Sequence, residues 1–384
     1  MNPTDPIAAV THRDPYPYYA ALVDGPPLVF DATLGLWVAS RAATVSAVLG
    51  HPACRVRPLA APVPPALRGT TAGELFGQLI RMNDGALRHD APKRAMQAAL
   101  ASVDAGALRR RTAALAAQRL PAHAAPDALN AWCLTVPVCA VAELLGFDDA
   151  QLDDVAAWVT DFVAALSPLS TAAQLARASD AAGRLLERMT ALVAAARADD
   201  SSLVAAVQCA AHEAGWHASG ALIANLVGLL SQTCEATAAW LDPAKRPAGE
   251  PPVTDDATLD AFVAEVARFD APVQNTRRFV AARTTLDGVT VDAGDAILVV
   301  LAAANRDPAV QRDPHRFVPD RPPGPGFGFG AGPHGCPGER IARAVTVGAI
   351  RALLRGGGLP PGDAPGWRYR DSTNVRMPKF EAVR

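Results

Sequence analysis

Hydrophobic residues recur at spacings of three and four along most of the chain, which is the periodicity of amphipathic helices. The pattern predicts long helical stretches at residues 91–118, 128–166, 172–198 and 217–241. Two further helices are predicted, at 261–269 and 339–349. The chain is therefore expected to be mainly helical.

Strand signals are few and confined to two regions. Leu28–Phe30 and Leu36–Ala39 flank a turn near the N-terminus and predict a short hairpin. A second sheet region is predicted from 278 to 301, with turns at 287–288 and 292–294. We expect a mainly α chain with small sheets near the N-terminus and in the C-terminal half, forming one domain over residues 1–384.

Charge and hydropathy narrow the function classes. Lysines and arginines number 36, aspartates and glutamates 38, and the net charge is -2. This balance argues against a general nucleic-acid or membrane-surface binder. The apolar stretch Gly220–Leu230 is shorter than the roughly 18 residues a membrane span needs and contains Asn225. No secretory pattern is visible at the N-terminus. A cytoplasmic protein that binds neither nucleic acid nor membrane is predicted.

Six cysteines are present, and none forms a Cys-x-x-Cys pair. Neither a zinc ribbon nor a redox dithiol is therefore indicated. Most of the six are expected to be core residues. Cys336 is the exception, because glycines and prolines surround it and a predicted helix follows.

The loop around Cys336 carries the strongest chemical signal. Glycines allow tight turns and the close approach of a flat ligand. Pro337 suits a helix start, so Cys336 should lie where free N–H groups favour the thiolate. A thiolate is a good ligand for haem iron. Composition alone leaves the alternative of a glycine-rich loop around a buried cysteine.

The same loop resembles a known family signature. All six specified positions of FGxGxHxCxG, the cysteine-loop signature of the cytochrome P-450 family, match; they are Phe329, Gly330, Gly332, His334, Cys336 and Gly338. The segment around Ala342 resembles the helix that follows. The resemblance implies the cytochrome P-450 fold, a haem b cofactor (iron protoporphyrin IX) and Cys336 as iron ligand. It also implies that His334 binds a haem propionate and Phe329 packs near the thiolate.

Glu265 and Arg268 lie three residues apart on the predicted helix 261–269. By itself this spacing indicates a surface ion pair worth roughly 0.2–0.5 kcal/mol. In the family, the ExxR pair forms a buried triad with a later arginine, and Arg316 matches that third position. The resemblance therefore assigns the three residues to support of the haem loop.

Further basic residues match propionate ligands of the family. Arg278 has the corresponding position relative to Gly288. His89 and Lys93 lie where the family often has HxxxR, with Arg94 as the competing choice for the second position. An exposed histidine at a helix start is the alternative interpretation of His89.

The helix predicted at 217–241 is apolar on more than one face and then becomes polar. Either the polar run is a site or it is a solvated helix end. The family pattern A-G-x-[DE]-T-T aligns with Gln232, Thr233, Cys234, Glu235, Ala236 and Thr237. Only Glu235 and Thr237 match. The threonine that helps to protonate bound oxygen is replaced by Ala236. We therefore expect Gln232, Thr233 or Thr237 to hold the proton-delivering water, or the substrate to supply the hydroxyl.

The resemblance implies an oxidoreductase that activates dioxygen to oxidise a small organic molecule. An external ferredoxin and reductase would supply electrons, because the chain has no flavin or iron–sulfur motif. A basic patch for that donor is predicted from Arg109, Arg110, Arg111, Arg340 and Arg343. Ala236 keeps open peroxide-dependent or non-hydroxylating oxidation, such as dehydrogenation or coupling. A haem-binding protein without turnover is the third hypothesis.

Overall fold

A computed structural model describes residues 2–58, 60–122, 125–238, 255–322, 324–356 and 366–382, with the backbone alone over 234–238. Most of these residues are helical, as predicted. The helices are α1 (Tyr16–Asp24), α2 (Ala42–Gly50), α3 (Thr71–Gln78), α4 (Ala91–Ala101), α5 (Ala105–Gln118), α6 (Pro126–Leu145), α7 (Leu152–Ala164), α8 (Ala172–Ala195), α9 (Leu203–Glu213), α10 (Ser219–Ala238), α11 (Asp256–Phe269), α12 (Leu301–Ala304) and α13 (Glu339–Arg355).

The described strands are short, and most lie in the two sheet regions predicted from the sequence, whereas those at 54–55, 366–369 and 378–381 were not predicted. They are β1 (Leu28–Asp31), β2 (Leu36–Ala39), β3 (Cys54–Arg55), β4 (Thr276–Val280), β5 (Thr284–Leu286), β6 (Val289–Val291), β7 (Ala296–Val299), β8 (Gly366–Tyr369) and β9 (Pro378–Glu381). The predicted hairpin β1–β2 is confirmed, with Leu28 opposite Ala39. The turn between β5 and β6 is confirmed as well, because Asp287 and Gly288 have φ values of 47° and 79°.

Chain contacts divide the molecule into two compact units. The first unit comprises Met1–Pro62, Ala244–Cys336 and Tyr369–Pro378, and the second comprises Val63–Pro243, Pro337–Arg368 and Lys379–Arg384. The expectation of one domain stays a prediction.

The first unit contains a five-stranded sheet in the order β1-β2-β7-β4-β3. Strand β7 runs parallel to β2 and antiparallel to β4. Alternate strand residues are buried in two apolar clusters, one that includes Val45, Val280 and Ile297 and one around Tyr19, Val38 and Leu298. This core supports β4 and the cysteine loop.

The second unit is helical, and α5 and α13 pack extensively against each other. Gly348 permits the approach, since a Cβ atom there would lie 2.6 Å from the carbonyl oxygen of Arg109 and 2.8 Å from Cβ of Thr112. Helix α10 packs against α6, α8 and α3. The second unit thus places a long apolar helix among helical neighbours.

Two predicted helices prove to be helix pairs. The stretch 91–118 breaks before α5, where the Asp104 carboxylate caps the helix by accepting hydrogen bonds from Gly106 N (2.7 Å) and Ala107 N (3.1 Å). The stretch 128–166 breaks at Gly146, whose φ of 110° ends α6. Within the described residues, α1, α2, α3 and α9 were missed altogether.

Helix α6 is long and apolar enough to cross a membrane, judged by length and composition, and is alone in this among the described helices. Its most apolar stretch is 72% buried inside the structure. The core helix of a globular protein meets the same criteria, so this is weak support for a membrane span. The sequence alone did not indicate α6 as a candidate span, because polar residues such as Asn130 interrupt its apolar residues.

Candidate functional site

The cysteine loop is a series of tight turns closed by backbone hydrogen bonds. The Cys336 amide donates to the Phe329 carbonyl at 2.8 Å, and the Gly330 amide donates to the Phe327 carbonyl at 2.9 Å. Gly330 and Gly332 have φ values of 69° and 66°, a region that disfavours other residues. The glycines of the signature therefore shape the loop itself.

Two contacts hold this loop in the first unit. A Cβ atom on Gly332 would lie 3.1 Å from the Leu49 carbonyl oxygen at the end of α2, so the turn seats closely there. At the start of the loop, the Phe327 amide donates to Oδ1 of Asn305 at 2.6 Å. Asn305 is fully buried and was missed by the sequence analysis. Its place after α12, in Asn-Arg-Asp-Pro, was the available signal.

The cysteines differ in their availability to a ligand. Cys54 and Cys139 are buried, and burial raises the pKa of each thiol to about 11. Both therefore stay protonated near neutral pH. Cys336 is exposed, and so is Cys209 on α9, which was expected in the core. Of these two, only Cys336 lies in a loop that would let a flat ligand approach.

The triad contains a different third arginine from the predicted one. Arg268 donates to both carboxylate oxygens of Glu265, at 2.8 and 2.6 Å, and both side chains are buried. Arg321 lies 3.2 Å from the same carboxylate. Arg316, the predicted partner, contributes its backbone carbonyl to Arg268 at 3.0 Å, while its side chain is exposed. The assignment of Arg316 is wrong, because the chain turns its side chain outward.

The remaining loop residues surround Cys336 along the chain. His334 ends a short 3-10 turn and is half-buried. Gly338 precedes α13, and its carbonyl accepts from the Ala342 amide at 2.9 Å. Helix α13 begins three residues after Cys336, as predicted.

Arg278 lies on β4 opposite Ile297 of β7 and is buried. Its Nη1 donates to the Arg277 carbonyl at 2.9 Å. The neighbouring Arg277 side chain is exposed. The strand alternation thus places Arg278 alone of this pair in the interior.

His89 and Lys93 belong to the second unit. His89 lies in the π-helical turn Ala86–Asp90, with Nδ1 2.8 Å from Oδ1 of Asp90, and Lys93 follows in α4. Both are buried, whereas Arg94, the competing choice, is exposed. The HxxxR-like spacing therefore gives two buried basic groups.

Helix α10 carries the predicted oxygen-side residues. The Thr233 hydroxyl bonds back to the Leu229 carbonyl at 2.5 Å. Gln232 is exposed, and its Nε2 donates to the Gly228 carbonyl at 2.9 Å. This bond orients the amide while leaving Oε1 able to accept. The side chains of Glu235, Ala236 and Thr237 lie outside the described residues, although their backbone is helical.

The chain is similar in sequence and fold to known proteins. A family model for cytochrome P-450 matches residues 257–355, which include the triad helix and the cysteine loop. The cytochrome P-450 monooxygenase PikC of Streptomyces venezuelae is 31% identical over 243 residues, 59% of this chain and 55% of that protein. The solved structure of Mycobacterium smegmatis CYP164A2 with econazole bound is 25% identical over 99% of this chain and 98% of that chain, with a TM-score of 0.73.

The chain belongs to the cytochrome P-450 family. The solved structure of CalO2 has a similar fold, with a TM-score of 0.72 at 24% identity over 99% of this chain and 98% of that chain. The biotin biosynthesis cytochrome P-450 of Bacillus subtilis is 38% identical over 113 residues, 29% of this chain and 28% of that protein. The matched region thus spans little more than half the length of PikC and less of the Bacillus protein.

The donor groups of this cytochrome P-450 fit the family's haem. Cys336 is exposed and carries a thiol, the type of iron ligand expected, and its loop admits no side chain at position 332 without displacing Leu49. Arg278, His89 and Lys93 are buried bases of the kind that bind carboxylates. Among the described residues, His, Cys, Asp and Glu form no cluster suited to a bare metal ion.

Proposed function

We propose that this cytochrome P-450 is a haem-thiolate oxidoreductase that uses dioxygen to oxidise a small organic molecule. The exposed Cys336 in a complete cysteine loop is the observation that carries this proposal. When bound, haem b supplies the redox-active iron at which dioxygen is reduced. A monooxygenation would consume dioxygen, two electrons and two protons, and yield one hydroxylated product and water.

The chain's own residues then have distinct tasks. Cys336 would ligate the iron, with Phe329, Gly330, Gly332, Gly338 and Ala342 shaping that side. His334, Arg278, His89 and Lys93 would bind the propionates through charge-assisted hydrogen bonds. Oε1 of Gln232 would hold a water or a substrate hydroxyl, since Nε2 is already engaged with Gly228. Glu235, Thr233 and Thr237 are the other candidates for the proton relay. We also propose a cytoplasmic location for the protein.

An external ferredoxin and reductase would deliver the electrons one at a time. Arg109, Arg110 and Arg111 are on α5, and Arg340 and Arg343 are on α13, the two helices that pack together in the second unit. Several are partly engaged: Arg111 pairs with Glu143, and Arg343 lies 3.6 Å from Glu339. These two carboxylates weaken the attraction of Arg111 and Arg343 for an acidic ferredoxin. Arg109, Arg110 and Arg340 are therefore expected to steer the ferredoxin most strongly.

Replacing Arg278 with alanine is expected to lower the affinity of the protein for haem at least about tenfold. The reason is that a charge-assisted hydrogen bond contributes roughly 1.5–3 kcal/mol. The measurement is haem titration followed by Soret absorbance. Arg277→Ala is the matched control, since Arg277 is the exposed neighbour on the same strand. Equal haem affinity in the two variants would remove Arg278 from the propionate ligands.

Turnover with a ferredoxin, reductase and dioxygen should exceed turnover with hydrogen peroxide if the main proposal holds. The reverse order would favour the peroxide-dependent alternative, which the alanine at position 236 motivates. No oxidation of any substrate by either route would support the non-catalytic alternative.

Restoring the family residue with Ala236→Thr separates an adapted relay from an impaired one. With an adapted relay, the fraction of electrons reaching product should stay within about twofold, and Gln232→Ala should lose most activity. The coupling ratio, product formed per two electrons supplied by the reductase, measures this. A large gain in coupling on Ala236→Thr would show that Gln232 had not taken over.

A further inference from the structure

Asn225 connects helix α10 to another segment of the second unit through buried hydrogen bonds. It is 4% exposed. Its Oδ1 accepts a hydrogen bond from the Ile80 amide at 2.8 Å, and its Nδ2 donates to the Gln78 carbonyl at 2.9 Å. Nδ2 also donates to the Ala221 carbonyl of its own helix at 2.8 Å. One buried amide therefore binds both sides of residue 79.

An apolar contact fits between those two hydrogen bonds. Leu79 is fully buried, and a Cβ atom on Gly228 would lie 2.9 Å from its Cδ2. Glycine at 228, one helical turn after Asn225, thus provides the space that Leu79 fills. The segment Gln78–Ile80 is therefore held on α10 both by the side-chain amide of Asn225 and by the packing of Leu79 against Gly228.

The loop that follows this seat is braced by its own side chains. Nδ2 of Asn83 donates to the carbonyls of Gly77 (3.0 Å) and Leu79 (2.7 Å). Arg88 donates to the Gly77 carbonyl at 3.1 Å. These bonds tie residues 77–88 to one another rather than to α10. Movement of the seat would therefore carry the loop with it.

The braced loop connects two parts of the proposed oxidation site. It leaves α3 beside Gly228 of α10, which lies three residues before the polar run at Ser231–Thr237, and it ends at His89. Leu87 within it is 86% exposed. The loop therefore joins a segment bound to α10, the helix with the proposed relay residues, to a proposed propionate ligand.

We propose that Asn225 is a positioning residue that latches Gln78–Ile80 to α10, and that this latch sets how readily organic ligands reach and leave the haem. The inference rests on the proposed function for its ligand. Without the latch, the buried Ile80 amide and Gln78 carbonyl lose their partners, which favours exposure of the loop to water. The loop would then open more often and ligands would exchange faster.

The test uses the haem-loaded protein and the variants Asn225→Leu, Asn225→Asp and Gly228→Ala. In Asn225→Leu, hydrogen exchange of the Ile80 amide and of residues 79–88 should accelerate about tenfold or more. The association and dissociation rates of 4-phenylimidazole, followed by its Soret shift, should rise by a similar factor. Asn225→Asp keeps the acceptor for Ile80 and should show a smaller change, and Gly228→Ala should act in the same direction as Asn225→Leu by displacing Leu79.

Asn130→Leu is the matched control, because Asn130 is also a buried amide in the second unit. It bonds the backbone of Phe380 through Nδ2 and Oδ1, both at 2.9 Å. This control should lose a comparable amount of thermal stability without changing exchange at 79–88 or the rates for 4-phenylimidazole. Such a difference between the variants is what a merely structural role would not produce.

Three results would overturn the latch: unchanged exchange at 79–88 in Asn225→Leu, equal effects in Asn130→Leu, or faster exchange without faster 4-phenylimidazole binding. A wild-type protein lacking a thiolate-type spectrum would instead contradict the proposed function. The exchange measurement would still judge the connection between Asn225 and the loop in that case.

Discussion

Replacing Cys336 with alanine is expected to abolish the red-shifted Soret band of the reduced, carbon-monoxide-bound protein and to reduce substrate oxidation to background. The thiolate is the proposed protein ligand of the iron, and no other group in the cysteine loop can supply its negative charge and electron donation. Cys336→Ser replaces sulfur with a weaker oxygen donor and should also lose the band. The measurement is the difference spectrum of the reduced protein with and without carbon monoxide.

Cys209→Ala provides the control for this experiment. Cys209 is exposed like Cys336 but lies on α9 outside any glycine-rich loop. This variant should keep the wild-type spectrum and turnover. If Cys336→Ala retained the red-shifted band, the iron ligand would have to be another cysteine, and the haem-thiolate proposal for this loop would be wrong.

Replacing Arg321 with methionine should lower the free energy of unfolding by roughly 1.5–3 kcal/mol, because it removes charge-assisted hydrogen bonds to a buried carboxylate. Glu265 is 2% exposed as a side chain and is contacted by both Arg268 and Arg321. Methionine retains much of the arginine's volume, so lost charge pairing dominates over lost packing. Denaturant unfolding of the haem-loaded protein measures the difference, and haem retention should fall with it.

Arg316→Met is the matched comparison, since it removes the same charge from the same loop. The Arg316 side chain is exposed and only its backbone carbonyl joins the network, so this change should cost about 0.5 kcal/mol or less. A larger loss in Arg316→Met than in Arg321→Met would restore the assignment made from the sequence alone.

Features set by neighbouring residues were predictable from the sequence. The periodicity of apolar residues located the long helices, and the Asp-Gly pair at 287–288 specified the turn between β5 and β6 because few other residues adopt positive φ. The cysteine loop was predictable for the same reason, since its shape depends on glycines within ten residues of one another. Local steric rules suffice for such segments.

Helix boundaries were less accessible where helices follow one another closely. The pattern joined α4 to α5 and α6 to α7, because apolar spacing continues across the capping residues Asp104 and Gly146. Short helices such as α3 gave too few turns for periodicity to stand out. The stability of such short helices comes from tertiary packing, which the pattern of apolar residues along the chain does not show.

Only the tertiary structure decided which polar residues meet. Arg321 and Arg316 are both arginines in the loop after α12, and the path of that loop brings Arg321 to a carboxylate 56 residues away. The partner of Asn225 is a backbone amide 145 residues earlier. Sequence spacing constrains contacts within a helix or a turn, but contacts across such distances depend on how helices pack. For this protein, the sequence by itself determined the turns of the cysteine loop, and the fold decided which side chains hold that loop and the segment after Gln78 in place.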